Sequence, residues 1–353
     1  MKKIFTFTST LIVCIVAFAH AQELNKFEPS GPLNIRNQMP LYLFYMAPSP
    51  DMAQTLKRGK VEVDASYHVA NVIVQQSSWP GPKYLPEDGE TNGDRNREWW
   101  TYIDTEVNRL DLNLSYGLLD NLEASVDIPY YIFSDGYLDS FIEGFEKGFS
   151  FIKTPNARAE RGKNEYEYEI RNRGNPIIFS TSHPNDWGEI ATYLKYKILD
   201  EDKWWPTTSV RGGVKFPTTK DKLLGSKKFD YMLGFLIDKT FYERFFLYFN
   251  VNYVFLNRPD IYEKLHEFQD HMLHGVLGFE YCFTDQLSML FQATANTTIY
   301  SGGGTSTYRD PVVLTLGFNY NINDKVSWQI AMDENTNTAA PDFGVYTGLK
   351  IKL

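Results

Sequence analysis

The sequence predicts an all-β protein, a transmembrane antiparallel β-barrel of about 12 strands, with 10–14 as the range. Three observations support this prediction. Apolar and polar residues alternate in stretch after stretch of the 353-residue chain, the connections between stretches are alternately short and long, and aromatic residues gather where the stretches end. Because only the outward face of such a barrel meets lipid, the chain as a whole can remain polar.

Residues 1–21 have the three parts of a secretory signal peptide. Lys2 and Lys3 form a basic start, residues 4–18 are almost entirely apolar, and Ala19-His20-Ala21 is a small-residue cleavage site. An uncleaved anchor helix is disfavoured because four hydroxyl residues interrupt the first half of the apolar stretch. We expect cleavage near Ala21/Gln22 and delivery to the outer membrane of a Gram-negative bacterium.

Composition excludes several other classes of protein. With 35 Lys and Arg against 44 Asp and Glu, the net charge of −9 argues against a nucleic-acid binder that relies on a net-basic surface. The two cysteines, Cys14 and Cys282, are too few for a disulfide scaffold or a multi-cysteine metal site. We expect no cofactor, no metal and no nucleic-acid partner. The expected partners are outer-membrane lipid and a small-molecule solute, and the oligomeric state is left open.

Twelve stretches alternate with period two, which is the pattern of a strand with one apolar and one polar face. In the first, Val61, Val63 and Ala65 oppose Glu62 and Asp64. The predicted strands are 60–76, 101–118, 122–133, 188–199, 207–217, 228–238, 244–256, 271–283, 287–299, 311–322, 325–333 and 343–353.

The connections between these strands are short at one end and long at the other. The long segments are 77–100, 134–187, 218–227, 257–270, 300–310 and 334–342. This asymmetry, with an even strand count, is typical of barrels with short periplasmic turns and long extracellular loops. A secreted β-sandwich also alternates, but it needs neither the asymmetry nor an apolar band on every strand.

Aromatic residues near the strand ends fit the two girdles that such barrels place at the membrane interfaces. They are Trp99, Trp100, Tyr130, Tyr131, Phe133, Trp187, Trp204, Trp205, Phe245, Tyr253, Phe255, Tyr320 and Phe343.

The polar strand face is predicted to line the lumen, where its charged residues are candidates for a solute path. These are Glu62, Asp64, His68, Asp111, Glu123, Asp127, Lys195, Lys197, Arg211, Lys215, His274, Glu280, Lys350 and Lys352. Closing the strands in order places Lys350 and Lys352 beside Glu62 and Asp64. It also places Glu123 and Asp127 near Lys195 and Lys197. Two interpretations stay open: a lumen that neutralises itself, and rings of charge that orient a charged solute.

Enzymatic chemistry is a minority hypothesis. His68, His274 and Glu280 share the inward face, but they lack the ligand spacing of a metal site. An outer-membrane phospholipase would need a serine beside its histidine, and no Gly-x-Ser-x-Gly motif occurs. No catalytic residue is predicted.

The segment 134–187 is too long for an idle connection. Five of its residues share one face of a predicted helix: Leu138, Phe141, Ile142, Phe145 and Phe149. This helix could simply fold onto the barrel rim, it could be a lid or plug over the pore, or it could form an apolar entry site for an amphipathic ligand. The mixed-charge stretch from Arg158 to Arg173 is predicted to be a solvated, mobile surface loop.

Residues 22–58 precede the first strand and are apolar and aromatic rather than linker-like. We expect this periplasmic segment to enter the barrel as a partial plug. Residues 59–353 then form the barrel domain.

Three motifs resemble the outer-membrane family Domain of Unknown Function 3187. They are the Pro-Leu-x-x-Arg-Asn-Gln-x-Pro box at 32–40, the stretch from Asp135 to Phe145, and Gly213-Val214-Lys215-Phe216-Pro217. The similarity spans nearly the whole mature chain. It implies a barrel in a Gram-negative envelope and brings no substrate or catalytic residue with it.

Size and surface together favour a channel or transporter for a small solute, an amphipathic one being an option. A twelve-stranded barrel lies between small barrels filled by side chains and porins with open aqueous channels. The main alternative is a non-conducting barrel with a structural or envelope-interaction role, and a membrane-embedded lipid hydrolase is a weaker one.

Overall fold

A computed structural model describes residues 27–77, 99–136, 166–172, 175–260, 269–300 and 309–353. The predicted signal peptide and the lid candidates Leu138, Phe141, Ile142, Phe145 and Phe149 lie outside these ranges. Within them, no helix is long and apolar enough to cross a membrane.

The described residues form fifteen strands in one antiparallel sheet. The strands are β1 (Val61–Ser77), β2 (Trp99–Leu119), β3 (Leu122–Ser134), β4 (Glu167–Asn172), β5 (Asn175–Ser180), β6 (Asn185–Trp187), β7 (Ala191–Leu199), β8 (Thr207–Lys215), β9 (Asp230–Phe241), β10 (Phe245–Phe255), β11 (His271–Cys282), β12 (Leu287–Asn296), β13 (Val312–Asn323), β14 (Val326–Asn335) and β15 (Phe343–Lys352).

Twelve of these strands close into the barrel. β1 to β3 and β7 to β15 pair in chain order, and β15 pairs with β1 to complete the circle. Closure leaves no barrel strand with an unpaired edge, as a sheet in lipid requires. The prediction of a twelve-stranded antiparallel barrel is confirmed.

Period-two alternation determines which face of each strand is buried. On β13, Leu314, Leu316 and Phe318 are exposed on the outside, whereas Thr315 and Asn319 are buried on the inside. The outer face therefore offers apolar surface to lipid, and the inner face lines the lumen.

Three short strands depart from the prediction for the segment 134–187. β4 pairs with residues 99–104 at the start of β2, β5 pairs with β4, and β6 pairs with β3. The expected mobile loop is therefore wrong for residues 167–172, where Tyr168 and Glu169 are buried. The charged residues of this stretch made it look solvent-exposed in the sequence. In the structure Arg171 forms an ion pair with Glu169 instead of facing solvent alone.

The girdle prediction is partly wrong. Trp187, Trp204, Trp205, Phe245 and Tyr320 are exposed on the outer surface. In contrast, Trp100, Tyr131, Phe133 and Phe343 are buried. Tyr131 and Phe133 have the same inward parity as Asp127, so they face the interior of the barrel and not the lipid.

The register confirms most of the predicted charge pairs. Glu62 lies opposite Lys352 and Asp64 opposite Lys350 across the β1–β15 closure. Glu123 lies opposite Lys195, with 3.0 Å between the carboxylate and the ammonium.

The predicted neighbours of Asp127 and Lys197 are wrong. Because β3 and β7 are antiparallel, Asp127 is opposite Ala191, nearer the long-loop end of the barrel. Lys197 is near the short turns, where it pairs with Asp200.

Candidate functional site

Residues 27–58, called the N-terminal hairpin below, run up the lumen and back. At the short-turn end the ring of Phe27 lies 4.5 Å from the Arg244 guanidinium. At the long-loop end the Tyr300 hydroxyl donates to the carbonyl of Leu41 at 2.7 Å. The chain then returns to the short turns, where the Gly59 amide donates to the Gly117 carbonyl. Every residue from 30 to 46 is buried, so the hairpin fills the barrel over most of its height.

The rising limb is held by inward side chains of β11, β12 and β15. The Glu280 carboxylate accepts from the backbone amides of Ser30 and Gly31, and the Lys350 ammonium donates to the Ser30 carbonyl at 3.1 Å. Nearer the long-loop end, the Gln292 side-chain amide makes two hydrogen bonds to Leu33. It accepts from the Leu33 amide at 3.0 Å and donates to the Leu33 carbonyl at 3.1 Å.

Two polar side chains of the hairpin meet the wall at mid-height. The guanidinium of Arg36 pairs with Asp127, which also lies 3.7 Å from Arg109. The amide nitrogen of Gln38 is 2.8 Å from Nδ1 of His68. With Nδ1 accepting that bond, the ring proton is on Nε2, which faces Asp333 at 2.7 Å.

The tip of the hairpin, residues 39–46, occupies an apolar upper lumen. It packs against inward apolar side chains of the surrounding strands and loops, among them Val72, Ile103, Phe133, Met232, Val254, Met272 and Ile299. A Cβ at Gly213 would lie 2.8 Å from the Met46 side chain, so the glycine leaves room for the tip.

Lys215 joins the tip to two long-loop segments. Its ammonium donates to the carbonyl of Phe44 at 2.8 Å and to the Ser226 hydroxyl at 2.8 Å, and it pairs with Glu189 and Asp230. Burial raises the pKa of Glu189, which precedes β7, and the Lys215 ammonium opposes that shift. Asp230 in turn accepts from the Met46 amide at 2.9 Å.

The descending limb centres on Asp51. The Asn250 side-chain amide makes two bonds to its backbone, both 2.9 Å long. Lys195 holds the Asp51 carboxylate at 3.0 Å, and the Arg211 guanidinium lies 3.6 Å away. Below this point Asp238 accepts from the amide of Ala53.

The structure brings most of the predicted lumen residues against the hairpin. Those in contact with it are His68, Glu123, Asp127, Lys195, Lys197, Arg211, Lys215, Glu280, Lys350 and Lys352. The other four bond to other side chains of the barrel wall or lie near them. Asp111 bonds to Arg109, His274 lies 3.2 Å from Asn252, and Glu62 is 4.0 Å from Lys350, which also attracts Asp64.

Sequence reasoning missed four wall residues that bond to the hairpin, namely Asp230, Asp238, Asn250 and Gln292. It also missed Arg36 within the hairpin, and Arg109 and Asp333, which contact the wall residues Asp127 and His68. The strand parity that selected Glu280 would also have placed Asp230, Asp238 and Asn250 inward. The path of the hairpin could not be predicted from periodicity. Its backbone forms no regular strand or long helix and is instead hydrogen-bonded by side chains of strands distant in sequence.

The lumen histidines are engaged in hydrogen bonds with amides and a carboxylate. Glu280 and His274 lie on one strand, but Glu280 accepts from Tyr248 and Ser288 while His274 faces Asn252. Among the described residues, no three His, Cys, Asp or Glu side chains are grouped so that they could hold a metal ion. The arrangement suits binding of a chain in the lumen.

A family model described as "Protein of unknown function (DUF3187)" matches residues 5–353. The chain belongs to this family. The resemblance carried by the three sequence motifs is thereby confirmed. A comparison with curated proteins gives no significant match.

One solved structure supports the fold of this DUF3187 member, and two others show weaker similarity. The COG4313 outer membrane channel from Pseudomonas putida F1 is similar at a TM-score of 0.55 and 12% identity, covering 87% of this chain and 100% of that one. A Pseudomonas aeruginosa FadL homologue is similar at 0.39 and 9%, covering 84% and 90%. The NanC porin is similar at 0.44 and 9%, covering 83% and 100%. The similarity to the COG4313 channel is one of fold, the closed antiparallel barrel.

Proposed function

We propose that this protein is an outer-membrane channel or transporter for a small, amphipathic solute, and that the N-terminal hairpin is its plug. One observation carries the proposal. Residues 27–58 form no β-strand, and their one regular element is the short 3-10 turn Pro40–Tyr42. The hairpin is held by wall side chains and not by strand pairing, so it can leave the lumen without breaking the sheet.

The character of the solute is inferred from the two zones of the lumen. The lower lumen is polar, with Glu280, Lys350, Lys195 and Arg211 turned toward its axis. The upper lumen is lined mainly by apolar side chains of β1 to β3, β7 and β9 to β11, with the Lys215 cluster as a charged exception. A molecule with an apolar body and a charged or polar end can make favourable contacts in both zones as it crosses them. In this proposal a lid in the segment 134–187 would be a second gate.

A second candidate is a non-conducting barrel with a structural role in the envelope. It is favoured by the burial of the ion pair between Arg36 and Asp127, both less than 5% exposed. Breaking such a pair costs about 3–5 kcal/mol when one charge is left behind. A plug held this firmly needs a solute or partner to release it.

Uptake into proteoliposomes tests the channel against the closed barrel. The probes are 6-phenylhexanoate, an amphipathic carboxylate, and sucrose as a hydrophilic comparison. We expect saturable entry of 6-phenylhexanoate that is faster than in protein-free liposomes, with little entry of sucrose. Entry of both probes at the protein-free rate, with heat-modifiable migration showing a folded barrel, would favour the non-conducting barrel.

A further inference from the structure

The wall of the lumen binds the hairpin mainly through the hairpin backbone. Main-chain amides and carbonyls are contacted by wall side chains at every level of the barrel. The contacts are Glu280 with Ser30 and Gly31, Lys350 with Ser30, Gln292 with Leu33, Tyr300 with Leu41, Lys215 with Phe44, Asp230 with Met46, Arg211 with Ser49, Asn250 with Asp51, Lys195 with Met52, Ser209 and Asp238 with Ala53, and Glu123 with Leu56.

Two of these contacts have the geometry of peptide recognition. Gln292 on β12 and Asn250 on β10 each pair with both the amide and the carbonyl of a single hairpin residue. A side-chain amide that does this can bind any residue other than proline at that point, because both of its bonds are to main-chain groups. Main-chain bonds of this kind give affinity, and the pockets around them give specificity.

The third element is a carboxylate site beside Asn250. The side chain of Asp51 lies between the Lys195 ammonium, at 3.0 Å, and the Arg211 guanidinium, at 3.6 Å. A peptide with a free C-terminus presents an N–H for the Asn250 side-chain oxygen and, one bond closer to its Cα than in Asp51, a carboxylate for Lys195 and Arg211. The Asp51 side chain therefore stands in for an α-carboxylate.

We propose, resting on the channel function proposed above, that the solute is a short peptide with apolar side chains. It binds the wall groups that now hold the hairpin, with its C-terminal carboxylate in the place of the Asp51 side chain. Its apolar side chains occupy the upper lumen where Leu41, Leu43 and Phe44 now pack. The hairpin is thus an internal peptide that the solute displaces.

An amphipathic molecule without peptide groups fits the same lumen less well. It would leave the amides of Asn250 and Gln292 without the donor and acceptor that the hairpin supplies. A buried polar group that loses its partner weakens binding by about tenfold. The inference therefore separates peptides from other amphipathic carboxylates.

The test compares three probes in the proteoliposome uptake assay. They are N-acetyl-Leu-Phe with a free carboxylate, the same dipeptide as its C-terminal amide, and 6-phenylhexanoate. We expect half-saturation at a concentration about tenfold lower for the free dipeptide than for 6-phenylhexanoate, with the amide form about tenfold weaker than the free acid. The first ratio follows from Asn250, the wall amide beside the carboxylate site, and the second from the Lys195–Arg211 site.

A matched pair of variants assigns the preference to the wall. Asn250→Leu removes a donor and an acceptor that pair with the hairpin backbone. Gln329→Leu removes an inward amide whose oxygen accepts from Tyr346 on the neighbouring strand. Loosening of the hairpin alone would change the uptake of both solutes alike, so the informative readout is their ratio. We expect Asn250→Leu to reduce the preference for the dipeptide about tenfold and Gln329→Leu to preserve it.

The outcomes separate this inference from the channel function. Uptake of 6-phenylhexanoate with equal half-saturation for the dipeptide would overturn the peptide assignment and keep the channel. A preference that survives Asn250→Leu would also overturn it. Entry of no probe above the protein-free rate would overturn the channel and the peptide assignment together.

Discussion

The Arg36–Asp127 ion pair is a buried charged contact between the hairpin and the wall. Both side chains are buried, and Arg36 makes further bonds to Asn34 and to the Ala47 carbonyl at 3.1 and 3.0 Å. The guanidinium thus bonds to a residue in each limb of the hairpin and to β3. Removing one partner of a buried pair leaves an uncompensated charge, which costs more than removing both.

Arg36→Met should therefore release the hairpin without unfolding the barrel. We expect faster cleavage of residues 27–58 in limited proteolysis, since the loss falls on hairpin docking and not on strand pairing. The loss should be about 3 kcal/mol, the low end for a broken buried pair, because Arg109 stays 3.7 Å from Asp127. The double variant Arg36→Met/Asp127→Leu is the control, and its cleavage should return toward the wild-type rate. Equal cleavage in the wild type and Arg36→Met would show that this pair does not hold the hairpin.

The residues of the candidate site were only half predictable. Parity along an alternating strand shows which side chain turns inward, and it selected Glu280, Lys195 and Arg211 correctly. Parity gives no information on what an inward charge meets. Arg36 and Asp51 are in a segment without periodicity, so their partners on β3 and β7 follow only from the fold. The glycine and lysine of Gly213-Val214-Lys215 are now explained, since one makes room for the tip and the other binds it.

At the scale of elements, strands that face lipid were predictable and the β4–β5 hairpin was not. Each of the twelve barrel strands has an apolar outward row that the sequence displays directly. In β4 the alternating residues are charged or aromatic, and the apolar side chains turn toward the barrel interior. Tyr168 is fully buried and its ring stacks on Phe133 at 6.4 Å.

Tyr168→Ala should detach the β4–β5 hairpin and leave the barrel closed. Truncating a buried aromatic side chain costs about 3–5 kcal/mol of stability. A short two-stranded unit is only marginally stable, so it should not stay docked after that loss. Hydrogen exchange should accelerate in residues 167–172 and stay slow in 122–134. The matched control is Phe179→Ala on β5, where the aromatic ring is 61% exposed. Fast exchange in both variants, or in neither, would contradict the role given to Tyr168.

At the scale of the whole molecule, the barrel and the hairpin are separable structures. The barrel is complete in its own hydrogen bonding, because β15 pairs with β1. The hairpin adds buried contacts to the lumen but no strand to the sheet. A barrel without the hairpin should therefore fold and leave an open passage lined by the polar lower lumen and the apolar upper lumen.

The most direct test is the single-channel conductance of a variant lacking residues 23–50, recorded in a planar bilayer beside the wild type. A second variant lacking residues 138–165 of the long loop separates the hairpin from a lid. We predict steady openings after the 23–50 deletion, and far smaller conductance for the wild type and for the loop deletion. Silence from the 23–50 deletion, in a barrel shown to be folded by heat-modifiable migration, would contradict the claim that the N-terminal hairpin closes this channel.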